Sequence, residues 1–225
     1  MPTTRRRTVA AGLLVALALA LALSATGCGS DASNSAPGGA VLEDGKRGAS
    51  GSPSPSASGV AEGSTPTFDL PSDITVAVDR ETTGDATKDA ILRDVAYSAQ
   101  ANIEAFAKGV GQTANMNRYF AASALTYLVD RVATVKEDGL TLTGDYRLYG
   151  FEVTDVANGR AAAARYCEDQ TKAYSKEIKT RKVLRTRPSD KDFILFAVQA
   201  QKDSAGDWQM TQVSWKKADG ACVRG

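Results

Sequence analysis

The sequence predicts an α+β domain in which N-terminal helices pack on a curved antiparallel β-sheet, preceded by a signal peptide and a disordered linker. Three observations predict it. Residues 1–66 hold an apolar run and then a stretch of Gly, Ser, Pro and Ala with no amphipathic period. Two segments that follow repeat apolar residues at helical spacing. Beyond residue 140 the period changes to two, with turn residues between the runs. Helices first and strands afterwards argue segregated layers. The expected divisions are 1–27 for the signal, 28–66 for the linker and 67–225 for the domain, a length that suits a single domain.

Arg5, Arg6 and Arg7 precede an apolar run over residues 9–23, and small residues lead from there to Cys28. A basic region, a short apolar region and small residues are the layout of an export signal. The run is shorter than the ~20 residues that a helix needs to cross a bilayer, which disfavours an uncleaved anchor. Ala25, Thr26, Gly27 and Cys28 resemble a bacterial lipobox. That resemblance implies a diacylglyceryl group on the Cys28 sulfur and a protein held on the outer face of the cell membrane. The alternative is ordinary cleavage with a free thiol. Thr4, Arg5 and Arg6 also resemble the start of a twin-arginine signal, which leaves the export route open.

Residues 28–66 carry too little apolar mass to offset the entropy of ordering them. As a random coil of some 40 residues they would reach about 35 Å. The whole chain has 27 basic and 26 acidic residues, for a formal charge of +1. Without the three signal arginines the balance turns slightly acidic, which argues against bulk nucleic-acid binding.

The elements of the domain follow in order. Ile74, Val76 and Val78 alternate, as in a short edge strand or an extended arm. Ile91, Val95, Ala99, Ile103 and Phe106 define a first helix, capped by Asp85 and closed by Gly109. Phe120, Ala124, Tyr127, Leu128 and Val132 define a second over residues 115–137. Strand residues then run from 140 to 156, interrupted near Gly144. Asn158–Gly159 predicts a two-residue type I′ turn. Ala157 would then face Arg160, Val153 Ala164, Glu152 Arg165, Phe151 Tyr166 and Gly150 Cys167. A polar segment after residue 174 reads as a short exposed hairpin, and a last hairpin closes around the 202–207 loop.

Three cysteines are awkward in an exported protein unless one is otherwise engaged. With lipid on Cys28, Cys167 and Cys222 remain to pair in an oxidising compartment, stapling the C-terminus to a strand. Two separate buried thiols are the alternative. The chain has no histidine, so two cysteines cannot complete a zinc site, and no metal or cofactor is expected. Between residues 172 and 191, Lys172, Lys176, Lys179, Arg181, Lys182, Arg185, Arg187 and Lys191 face only Glu177 and Asp190. The run is either a solvated hairpin guarded by charge or a contact for an anionic surface such as phospholipid, wall polymer or an acidic protein.

The order of helices and strands, with "YCEDQ" at residues 166–170, "GDWQ" at 206–209 and a terminal cysteine, resembles small actinobacterial lipoproteins. Their folded part is similar to the nuclear transport factor 2-like fold, a cone of helices on a curved sheet. The resemblance implies a binding or scaffold module for an envelope protein, wall polymer or small lipophilic ligand. It equally admits a subunit of an export or conjugation assembly, or an enzyme like ketosteroid isomerase or the SnoaL-like cyclases. Fold alone does not choose among them.

An enzyme of that kind needs a base in an apolar pocket, and without histidine only carboxylates can serve. Glu104, Asp130, Glu152, Asp155, Glu168 and Asp169 are the candidates. Each also has a plainer reading: Glu152 paired with Arg165, Glu104 with Lys108, Asp130 on a polar helix face, Glu168 and Asp169 at a strand exit. Tyr97, Tyr119, Tyr127, Tyr146, Tyr149, Tyr166, Trp208 and Trp215 would line a pocket or fill the core. The expectation is therefore a non-catalytic module.

Overall fold

Strand β1 (Ile74–Val78) lies parallel to β2 (Leu140–Ala157), with Val76 opposite Tyr146. The sheet is therefore mixed, which corrects the expectation of an antiparallel one. Three helices separate the two strands, and such a crossover brings the chain back in the same direction. These elements come from a computed structural model of the chain that describes residues 64–223. The expected signal peptide, Cys28 and most of the expected linker lie outside the described residues. Among the described residues no helix is long and apolar enough to cross a membrane.

Helix α1 (Ala86–Lys108) starts and stops where its sequence directs. The Asp85 carboxylate accepts from the N–H groups of Thr87 and Lys88, and Gly109 closes the helix in the left-handed conformation. Asp85→Ala should cost about 1 kcal/mol, read as a fall of a few degrees in Tm. An unchanged Tm would show that the cap contributes nothing.

The single helix expected over 115–137 is two, α2 (Ala114–Tyr119) and α3 (Ala122–Glu137). The break serves the sheet. Phe120 bridges to Met210, and the Ala121 N–H donates to the Met210 carbonyl at 3.0 Å. Both backbones leave the helix to reach the last strand, and Ala122 turns the chain back with a φ of 50°.

Strand β2 pairs with β3 (Ala161–Glu177) across the Asn158–Gly159 turn. Both turn residues have positive φ, 52° and 62°, but the loop is one residue longer than expected and sets Ala157 against Ala161. An extra residue at Thr154 restores the register, so Val153 faces Ala164 and Glu152 faces Arg165. A second bulge around Gly150 puts Tyr149, rather than Gly150, opposite Cys167. Gly144 has a φ of 100°, and a Cβ there would lie 2.1 Å from the Lys172 carbonyl oxygen. The interruption expected near Gly144 does not occur: β2 runs unbroken, with Gly144 paired to Ala173 on one side and Ile74 on the other.

The chain then forms a two-residue strand β4 (Val183–Leu184) on β3, a turn of 3₁₀ helix (Asp190–Asp192), β5 (Phe193–Lys202) and β6 (Trp208–Lys217). The sheet order is β1-β2-β3-β5-β6, with β4 beside the far end of β3. Ile91, Leu92 and Val95 of α1 are buried in one cluster with Leu148, Phe196, Trp208 and Met210 of the sheet. The side chains of Cys167 and Tyr149 belong to a second, smaller cluster with Phe193, Leu195 and Cys222. Cys222 sits on the short helix α4 (Gly220–Val223) and is bonded to Cys167, their Cα atoms 5.5 Å apart. The Tyr149 hydroxyl donates to the Cys222 carbonyl.

The segment entering β1 is held along the helices. Arg118 donates to the Ser64 carbonyl at 2.8 Å and Asn115 to the Thr67 carbonyl at 2.9 Å. The Asp69 N–H donates to Glu104, and Lys108 pairs with the Asp69 carboxylate at 2.6 Å. Arg118 also grips Asp207 with two hydrogen bonds, at 2.7 and 3.1 Å.

Candidate functional site

Between the helices and the sheet lies a pocket of about 530 Å³. Asn102, Ile103 and Phe106 of α1 and Leu128 and Val135 of α3 form one wall. Leu142 and Tyr146 of β2, Glu168 of β3 and Ile194 and Phe196 of β5 form the opposite one. Volume and lining are those of a small-molecule site: mostly apolar, with a few polar groups converging. The strand period explains how the polar groups arrive. Ala162, Ala164, Tyr166, Glu168 and Gln170 alternate along β3, and the first four are buried. The same alternation turns Cys167 to the other cluster.

Glu168 is 3% exposed, and burial raises its carboxyl to about 7 although the Gln170 amide donates to it and favours the charged form. Burial, seconded by the Glu168 charge, also pushes the Tyr146 and Tyr166 phenols well above their ordinary value. The Tyr166 ring stacks between Phe151 and Phe196, at 5.4 and 5.0 Å between centroids. One buried polar atom of the pocket, Asn102 Oδ1, has no partner among the described residues. A buried polar atom without a partner is costly, and a site for a polar ligand atom accounts for it. The rim is formed by exposed side chains: Tyr127 and Arg131 of α3, Thr186 after β4, and Trp215 and Lys217 of β6. Trp215 Nε1 donates to the Tyr127 hydroxyl at 3.1 Å, joining β6 to α3.

No family model matches the chain, and no curated protein matches it. Among solved structures it is similar to the intermembrane space region of the chloroplast protein ARC6, at 17% identity over 60% of this chain and 99% of that one, TM-score 0.38. It is also similar to a ketosteroid isomerase-like protein from Erwinia carotovora atroseptica SCRI1043, at 16% identity over 57% and 96%, TM-score 0.37. A protein from Catenulispora acidiphila shares 8% identity over 63% and 100%, TM-score 0.40. Likeness at this level assigns no role to any residue.

The candidate carboxylates separate cleanly. Glu168 lies in the middle of β3, between Leu148 and Ile194, so the reading of it as a strand exit is corrected. "EDQTK" has the composition of a loop, yet the alternation begun at Ala162 runs on to Gln170, and an extra residue opposite Tyr146 then shifts the register without ending the strand. Glu104 is buried, but its two oxygens accept from the Asp69 N–H and Asn115; its expected pairing with Lys108 gives way to Lys108–Asp69. Glu152 pairs with Arg165 at 2.6 Å, as the register requires. Asp130 and Asp155 are exposed, and Asp169 accepts from the Thr171 N–H. Among the described residues no three Cys, Asp or Glu side chains gather into a metal-binding group.

The basic run does not form one patch. Lys176 is buried and paired with Asp73 at 2.5 Å, which removes it from the surface expected of it. Lys179, Arg181 and Lys182 are exposed at the β3–β4 turn. Arg185 lies over the Tyr174 ring, 4.9 Å from its centre, and lines a small second pocket with Lys172. Arg187 follows, exposed, beside Thr186 of the rim. Sequence reading passed over Asn102, Gln170 and Arg131. The helical period alone could have placed Asn102 beside Ile103 and Phe106.

Proposed function

We propose that the chain is an extracytoplasmic lipoprotein anchored through Cys28, whose domain binds a small, largely apolar ligand with a hydrogen-bonding head. The pocket carries this reading: a cavity of about 530 Å³ with Glu168, Asn102 and Tyr146 among its polar groups. The free Asn102 oxygen asks for a donor, and Glu168, close to half protonated at neutral pH, accepts or donates. A neutral hydroxyl satisfies both. A carboxylate head would face a second, buried carboxyl in Glu168, which disfavours it.

The anchoring part is supported by the arginines before residues 9–23, by Cys28 and by the composition of 28–66. Native mass spectrometry of protein taken from its own membrane should show an acyl-bearing Cys28 and a retained small molecule. With 2-naphthol as probe, calorimetry should show binding that 2-naphthoate lacks. Ala173→Phe, which fills the pocket, should weaken it at least tenfold. No retained mass and no binding of 2-naphthol would sink the ligand reading.

A second reading, proton transfer on a ligand, is favoured by the Glu168 carboxyl at about 7, near the optimum for a general base at neutral pH. Exchange of the acidic C–H protons of 2-tetralone in heavy water tests it. A catalyst should lose about a hundredfold in rate with Glu168→Gln. Equal rates in both proteins would leave the pocket as a binding site alone.

A further inference from the structure

We propose that the rim of the pocket is a docking face for an anionic phospholipid bilayer, so that the pocket opens towards the lipid. Trp215 and Tyr127 stand on this rim 47% and 39% exposed, among the most exposed large apolar side chains of the described residues. Their mutual hydrogen bond fixes an indole and a phenol side by side across the edge of an apolar cavity. Amphipathic rings of these two kinds favour the level of lipid headgroups.

Charge on the same face agrees. Arg131 and Lys217 line the rim and the exposed Arg187 follows Thr186 of the rim, while Arg185 is turned onto the Tyr174 ring at the second small pocket. Arg131, Lys217 and Arg187 make no ion pair among the described residues. Among acids, Asp192 also lines the pocket, its carboxylate engaged by the Ser189 N–H at 2.7 Å, and the exposed Asp130 precedes Arg131 on α3. Elsewhere on the domain Arg147 is matched by Asp79 and Arg165 by Glu152, whereas the exposed Arg160 and Arg181 make no ion pair among the described residues. Unmatched cations around exposed aromatic rings complement a surface that is anionic at its headgroups and apolar beneath. A bilayer meets both demands, and it is also a source of apolar molecules at the mouth. Docking stands on the rim alone; only its use for delivering a ligand rests on the pocket reading above.

Two tryptophans make the test direct, because Trp208 is buried and Trp215 is exposed. The full chain is reconstituted in vesicles with brominated acyl chains, made either of phosphatidylcholine alone or with phosphatidylglycerol. Anchoring holds the protein to both, but docking alone brings Trp215 into reach of bromine. We expect quenching at least threefold greater with phosphatidylglycerol at low salt. High salt, and Lys217→Glu with Arg187→Glu, should return it to the phosphatidylcholine level. Arg131→Glu, on a different element, should do the same, and Trp215→Phe should abolish the quenched signal. Ala173→Phe should leave it intact, which separates a failed pocket from a failed docking face. Equal quenching in the two vesicles, or quenching indifferent to both charge reversals, overturns the proposal. So does capture by polyglutamate without any quenching by bromolipid, which would point to an acidic protein instead.

Discussion

At pH 8 the Glu168→Gln variant should be about 3 kcal/mol more stable than the parent chain, and near pH 4.5 the two should be equal. The sign follows from the direction of the shift. In the unfolded chain the carboxyl titrates near its ordinary value of 4.5, whereas in the fold burial holds it at about 7. Below 4.5 it is protonated in both states and the folded protein carries no penalty. As pH rises towards 7 the unfolded state gives up the proton first, so stability falls, and above 7 the loss is complete. Glutamine fits the same space, accepts from Gln170 and never ionises. Urea unfolding at the two pH values measures the difference, in which the other buried carboxyls, Asp94, Glu104 and Asp207, cancel because both proteins contain them. A gap that does not grow with pH would mean that water reaches Glu168.

Breaking the Cys167–Cys222 bond should cost about 4 kcal/mol, since it frees a loop of 55 residues in the unfolded chain. For a domain of this size that is a fall of roughly 10–15 °C in Tm. Cys167→Ala with Cys222→Ala is the suitable pair, because both sulfurs are buried and serine would bury two hydroxyls. The parent chain under reductant should melt at the same temperature as the double variant. A double variant that melts with the oxidised parent would show that Tyr149, Phe193 and Leu195 hold α4 without the bond.

Local chemistry made much of this fold legible. Asp85 and Gly109 bound α1 because a cap and a left-handed stop are written in single residues. The Glu152–Arg165 pair was readable from the turn, although two departures, a longer loop and a bulge at Thr154, had to cancel. Where the deciding partner was remote, sequence was silent. Nothing in "YFAAS" announces that Phe120 and Ala121 will leave a helix for Met210, some 90 positions away. The parallel placement of β1 likewise depends on a strand that the chain reaches only after three helices. Glu168 was misread for a related reason. Composition speaks for a loop at residues 168–172, and only the neighbours, Leu148 on one side and Ile194 on the other, keep the strand going. Lys176 reads as a surface charge in sequence because its counterion, Asp73, precedes it by about a hundred residues.

The early strand also sets an order of assembly. Thr75 meets Asp145 across 70 residues, so a chain released from its N-terminus shows β1 first and must finish most of the domain before β1 has anywhere to go. Pairings that distant close slowly. Until then the outer margin of β2 stands open, and an open strand margin invites a neighbour. The last seam to be sewn is the one whose thread was spun first.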